Sequence, residues 1–76
     1  MNTNKLRDLR EDRDLTQADI AQILNVNQTT YSRYERGDIN IPLDVLIKMA
    51  LFFHTSIDYI LNLTDDKKPY KRKIRK

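Results

Sequence analysis

Residues 16 to 37 read Thr-Gln-Ala-Asp-Ile-Ala-Gln-Ile-Leu-Asn-Val-Asn-Gln-Thr-Thr-Tyr-Ser-Arg-Tyr-Glu-Arg-Gly, and this stretch decides the fold. Two short helical patterns flank a tight turn at Asn25-Val26-Asn27. In the first pattern Ile20, Ala21 and Leu24 share one face, the offsets of a buried stripe. In the second, Tyr31 and Tyr34 stand one turn apart, and Gln28, Thr29, Ser32 and Arg33 face the other way. A helix that shows short hydrogen-bonding side chains outward has the chemistry to read base edges in a major groove. Amides match adenine, Arg matches guanine, and hydroxyls serve several bases or a phosphate.

Working outward, the periodicity predicts an all-α chain of five helices. The first runs from about Thr3 to Arg13 with Leu6 and Leu9 inward. Thr16 is a good N-cap for the second, about Gln17 to Leu24, and Asp19 three residues on is an acidic near-match to the capping box. Asn27 caps the third, about Gln28 to Arg36, which stops at Gly37. Pro42 suits the first turn of the fourth, about Leu43 to Phe53, with Leu46, Ile47 and Ala50 inward. Ser56 caps a short fifth helix, about Ile57 to Leu61. Asp14, Asn25 and His54 stand just past helices one, two and four, where a left-handed residue is needed. They are among the non-glycine types that tolerate positive φ best.

The 76 residues hold 39% hydrophobic residues and no cysteine. That suits one small helical domain and leaves no thiolate for a disulfide or a metal. It also sets the expectation that no ligand-sensing domain is covalently attached. No apolar run approaches the ~20 residues that span a bilayer, and the N-terminus lacks the apolar stretch of a secretory signal. The expected location is therefore the cytoplasm, with no membrane contact. The net charge of +3 hides a division. Between Lys67 and Lys76 stand seven of the 14 Lys and Arg residues and no acid, so residues 1 to 66 carry all 11 acids and a net −4. From Thr64 onward there is no periodicity, so the expected division is a domain over residues 1–63 and a basic, disordered tail over 64–76. Such a tail suits either a phosphate-bearing partner or simple solvation. His54 stands alone and Glu11, Asp12 and Asp14 have no His partner. Neither a catalytic site, a metal site nor a cofactor site is expected, and the chain reads as no enzyme.

The segment from Leu6 to Leu61 resembles the lambda-repressor-like helix-turn-helix domain, the XRE or Cro/repressor family. The resemblance rests on Leu6 to Ala21, on Val-Asn-Gln-Thr-Thr-Tyr-Ser-Arg-Tyr-Glu-Arg-Gly over residues 26 to 37, and on Ser-Ile-Asp-Tyr-Ile-Leu over residues 56 to 61. It implies a compact five-helix domain, binding of double-stranded DNA through the third helix, and a two-fold homodimer on a palindromic operator. Gln17, with Thr16 at the same helix end, matches a phosphate-holding position, and Asn27 matches the cap of the recognition helix. Gln28, Thr29, Ser32 and Arg33 match its base-facing positions. Arg10 and Glu35 match an ion pair between the first and third helices.

The chain also departs from the family pattern. Asn25 replaces a turn glycine, and Tyr31 replaces a branched aliphatic residue, with its hydroxyl expected to reach a backbone group or a phosphate. Asp38 and Asn40 stand where basic residues are frequent. Tyr59 and Leu61 are expected inward, which leaves Ile57, Ile60 and Leu63 as a dimer seam. The implied function is a transcriptional regulator, most simply a repressor. The alternative is an antitoxin or other module that binds a protein partner, with DNA binding secondary.

Overall fold

The structure, a computed structural model, describes residues 4–69. It contains five helices in the order α1 (Leu6–Asp12), α2 (Gln17–Leu24), α3 (Gln28–Arg36), α4 (Leu43–Phe53) and α5 (Ile57–Ile60), and no strand among the described residues. Local capping chemistry sets most of the boundaries. Thr16 Oγ1 accepts from Asp19 N–H (3.1 Å) and Asp19 Oδ2 accepts from Thr16 N–H (2.9 Å), the reciprocal capping box that opens α2. These bonds from Thr16 hold the Asp19 carboxyl below its usual range. Asn27 Oδ1 accepts from Thr29 N–H (2.8 Å) at the start of α3, and Ser56 Oγ accepts from Tyr59 N–H (3.0 Å) at the start of α5. Pro42 sits at the N-cap of α4, one step before the expected first turn. Its missing N–H leaves nothing unpaired there.

Asp14, Asn25 and His54 are left-handed (φ 56°, 59° and 54°), each closing the helix before it without glycine. Asn62 is a fourth such residue, one that no local pattern had marked. The turn between α2 and α3 is closed by Val26 N–H to Ala21 O (2.9 Å) and Asn25 N–H to Gln22 O (3.1 Å). Both are the helix-ending bonds that a left-handed residue permits.

The start of α1 differs from expectation because its cap is displaced. Asn4 Oδ1 accepts from Leu6 N–H (3.1 Å), while Asn4 Nδ2 donates to Tyr34 O on α3 (2.8 Å). Lys5 N–H donates to Ile60 O on α5 (2.9 Å). The opening residues thus clasp two other helices before α1 begins.

The core gathers Leu6 and Leu9 of α1, Ile20, Ala21 and Leu24 of α2, Tyr31 and Tyr34 of α3, five residues of α4, and Ile60. Two expectations fail here. Ile60 is fully buried rather than exposed in a seam, because the Lys5–Ile60 bond draws the end of α5 under the chain's first residues. Tyr59 and Leu61 are only half-buried, as is Ile57, while Leu63 is exposed. Ile47 is 44% exposed, since Val45, Leu46, Met49, Ala50 and Phe53 already fill the inward side of α4. The segment after α5 is held to the body. Buried Thr55 donates its hydroxyl to Lys67 O (2.6 Å), and Lys67 Nζ lies 3.7 Å from Asp12 Oδ2. The rest of the expected tail, from residue 70, lies outside the described residues.

One polar cluster is built into this core. Arg10 Nε donates to Glu35 Oε2 at 2.6 Å and Arg10 Nη2 to Glu35 Oε1 at 3.3 Å, a two-pronged pair between α1 and α3. Arg10 Nη1 also donates to Leu15 O (2.8 Å), and Gln17 Nε2 to Glu35 Oε1 (3.2 Å). The two charged side chains retain only 12% and 5% of their exposure. Burial pushes the Glu35 carboxyl up, but the hydrogen bonds from Arg10 and Gln17 and the Arg10 charge outweigh it and hold the pKa below the ordinary value. The bond to Glu35 raises the Arg10 pKa further.

Removing one partner strands the other charge in the interior. Glu35→Gln is expected to cost about 3 kcal/mol, on the order of 15 °C in melting temperature for a domain this small. A carboxyl with a depressed folded pKa contributes stability that is complete above its unfolded pKa of ~4.3 and lost as pH falls through the folded value. Below that range the wild-type chain should therefore lose stability that Glu35→Gln never had. Melts of the two proteins that overlay at neutral pH would contradict a buried, stabilising pair.

Candidate nucleic-acid interface

α3 divides cleanly. Tyr31, Tyr34 and Glu35 are buried, whereas Gln28, Thr29 and Arg33 are exposed and Ser32 is half-buried. The Tyr31 hydroxyl does not reach outward as expected. It is fully buried beside Glu35 without a hydrogen bond of good geometry, and that burial, with the neighbouring carboxylate, pushes the phenol pKa far above its usual value. The tyrosine ring fills the core where the hydroxyl was expected to be useful outside.

The outward side chains differ in how they are held. Arg33 has no carboxylate partner among the described residues. Ser32 Oγ accepts from Arg36 Nη1 (3.2 Å), and Arg36 Nε donates to Asp38 Oδ2 (2.8 Å). The acid after Gly37, which replaces an expected cation, thus orients a cation instead. Asn27 uses its oxygen as the α3 cap, which leaves its exposed amide NH2 able to donate. At the start of α2 the capping box satisfies Asp19 N–H. The N–H groups of Gln17 and Ala18 remain among the donors that a helix leaves open at its first turn. Gln17, expected to hold a phosphate, gives one amide N–H to Glu35 and keeps a second N–H and its carbonyl oxygen.

The start of α2, the C-terminal half of α3 and the outer face of α1 line a cleft of about 300 Å³ through Arg7, Arg10, Gln17, Ser32, Glu35 and Arg36. Arg7 is paired with Glu11 on its exposed face (3.2 Å). Sequence reasoning passed over Arg7 and Arg36. The signal was there in the spacing, since Arg36 stands four residues after Ser32 and Arg7 three before Arg10, on the same helix faces. Thr16, Asn27, Gln28, Thr29 and Arg33 are all exposed, and Gln17 and Ser32 are half-buried at the cleft.

A second cleft, of about 440 Å³, is lined by Arg13, Phe53, His54, Lys67, Lys68 and Pro69. The Arg13 guanidinium lies 5.0 Å from the Phe52 ring centre and 5.6 Å from that of Phe53. Among the described residues no group of His, Cys, Asp or Glu is arranged to hold a metal ion, and no helix is long and apolar enough to cross a membrane.

Known proteins carry the same pattern. A family model described as helix-turn-helix matches residues 6–60. The chain is 38% identical over 69 residues to the uncharacterized HTH-type transcriptional regulator YobD of Bacillus subtilis, covering 91% of this chain and 62% of that protein. It is 39% identical over 57 residues to the cryptic phage CTXphi transcriptional repressor RstR of Vibrio cholerae, covering 75% and 51%. It is 36% identical over 63 residues to an uncharacterized HTH-type transcriptional regulator of Methanocaldococcus jannaschii, covering 83% and 96%. The chain thus spans less than two thirds of the first two relatives and nearly all of the third. With the capped α2–turn–α3 unit and the whole five-helix body inside the matched region, the chain belongs to the lambda-repressor-like, XRE-type helix-turn-helix family of transcriptional regulators.

Proposed function

We propose that the chain binds double-stranded DNA sequence-specifically through α3 and acts as a repressor, bound as a homodimer to a palindromic operator. One observation carries the reading. The outward face of α3 offers the Gln28 amide, the Thr29 hydroxyl and an Arg33 guanidinium with no carboxylate partner among the described residues, while the opposite face is locked into the core. Side chains held on a rigid helix are the usual means of reading base edges, and a two-fold pair of such helices reads half-sites ~34 Å apart. The name of RstR, a transcriptional repressor, supports repression over activation.

The remaining groups supply phosphate contacts. The Thr16 hydroxyl, the second amide N–H of Gln17 and the open N–H groups of the first turn of α2 face an anion favourably. Arg7 and Arg36 on the cleft rim add guanidinium groups, and Asn27 adds an amide at the α3 cap. Ser32 acts with Arg36, since its hydroxyl already accepts from that guanidinium. Phosphate contacts of this kind set register and carry no sequence preference.

Gln28→Ala is expected to leave the melting curve unchanged and to weaken binding to the preferred site by ~1–3 kcal/mol, with relaxed preference at one or two base pairs per half-site. Affinity for random duplex DNA should hold. Equal losses on preferred and random duplexes would contradict base reading by Gln28.

The charge division points to a role for the C-terminal residues. Residues 1 to 66 carry net −4, which opposes approach to DNA, and Lys67, Lys68, Lys71, Arg72, Lys73, Arg75 and Lys76 come after them. The Thr55–Lys67 bond ties the start of this run to the domain. Removing residues 70–76 leaves that bond in place. The truncated chain should bind preferred and random DNA more weakly alike. Its plot of log affinity against log salt should flatten by ~0.9 for each phosphate no longer neutralised. An unchanged slope would leave α2 and α3 to supply all the affinity.

A further inference from the structure

Arg36 stands between two surfaces. It follows Ser32 at i+4 and Arg33 at i+3, so its side chain can lie over the cleft or beside Arg33 on the outward face of α3. Its bonds put it on the cleft side. Nη1 donates to Ser32 Oγ (3.2 Å) and Nε to Asp38 Oδ2 (2.8 Å). The backbone of Asp38 is itself held at a set place. Gly37 N–H donates to Tyr34 O (3.1 Å) and Asp38 N–H to Arg33 O (3.0 Å), with Gly37 left-handed (φ 74°). These are the two bonds of a Schellman cap. The carboxylate that holds Arg36 therefore springs from the fixed end of the same helix.

Each arginine that lines the cleft is bonded to one carboxylate: Arg7 to Glu11, Arg10 to Glu35, Arg36 to Asp38. Glu11 lies on α1 and Glu35 is buried. Asp38 directly follows α3 and is exposed, so its charge opposes the phosphates of any duplex that α3 meets. Taken as a bare charge it only weakens binding. Through Arg36 it does more.

We propose that Asp38 is a positioning residue for sequence discrimination. It holds the Arg36 guanidinium over Ser32 at the cleft, where that group meets a phosphate only when α3 sits in register on its preferred site. This rests on the binding of DNA by α3 proposed above. Without Asp38, Arg36 is free to swing beside Arg33 and to take a phosphate in any register. A contact available in every register favours all duplexes alike, because phosphates carry no sequence information. Asp38 thus lowers affinity for all DNA, and lowers it least for the preferred site. Arg36 and Asp38 keep 59% and 47% of their side-chain exposure, so the pair is a weak restraint. An exposed ion pair biases a side chain by ~5-fold at most, which bounds the effect.

The test compares two probes, the duplex that the wild-type chain enriches from a random pool and a duplex of random sequence. Asp38→Asn keeps the side-chain shape and the backbone bond to Arg33, so its thermal melt should overlay that of the wild type. It should tighten binding to both duplexes, but to random DNA by ~2–5-fold more, narrowing the ratio of the two affinities by that factor. On random DNA its plot of log affinity against log salt should steepen by up to ~0.9, the mark of one more phosphate neutralised. In an Arg36→Gln chain the same substitution should tighten binding to both duplexes equally and leave the ratio unchanged. A ratio that narrows equally in both backgrounds, or in neither, would overturn the assignment and leave Asp38 a bare charge. In both of those cases a wild type that still prefers its own duplex keeps the reading of DNA by α3 intact. A wild type that binds the two duplexes equally would overturn that reading, and the role of Asp38 with it.

Discussion

The buried pairing of Arg10 with Glu35 is the constraint on which the arrangement of the site depends. It is the one place among the described residues where a full charge of each sign enters the interior, and it joins α1 to α3 by two hydrogen bonds. Two further bonds spread from it. The Arg10–Leu15 bond fixes the connection that leads into α2, and the Gln17–Glu35 bond fixes the first residue of α2 against the last turn of α3. The relative placement of the α2 N-terminus and the α3 outer face, the two parts that would meet a duplex, is thus set through a single carboxylate. The same pairing withdraws that carboxylate from a surface that must tolerate phosphate. A buried ion pair gains little net stability over an apolar substitute, but it penalises any other packing of the two helices heavily.

Charge is distributed around this centre in a consistent way. Several of the domain's cations are occupied by acids: Arg7 by Glu11, Arg36 by Asp38, Lys67 by Asp12. Arg33, on the α3 outer face, has no such partner among the described residues. A domain of net −4 does not attract DNA by its overall field, so in the proposed reading that task falls to the local placement of a few cations and the basic C-terminal run. The segment 64–69 matters here less for its own contacts than for fixing the point from which the basic run departs, since Thr55 and Asp12 pin Lys67 to the ends of α4 and α1.

How much of this was legible in the sequence depended on the range of each interaction. The bounds of α2, α3 and α4 followed from neighbours in the chain: Thr16 with Asp19, Asn27 with Thr29, the left-handed Asn25, Gly37 and His54. The outward set on α3 followed from helical spacing alone. Features set by distant partners were lost. The start of α1 depends on Asn4 reaching Tyr34, and the burial of Ile60 depends on Lys5, 55 positions earlier. A four-residue helix is too short for periodicity to fix its phase, so Ile57, Ile60 and Leu63 were grouped on a face that the fold divides. Ile47 was misjudged because α4 carries more apolar residues than its inward side can hold. The Gln17–Glu35 bond was likewise unreadable, a contact 18 positions apart that no local pattern signals.

The central claim is that the α3 outer face reads DNA sequence as one half of a symmetric pair. Selection of bound duplexes from a random pool by the full chain tests it most directly. The account predicts an enriched consensus made of two inverted half-sites whose centres lie about one helical turn, ~10 base pairs, apart. Recovery of duplexes with no common sequence, at affinities that track salt alone, would contradict it.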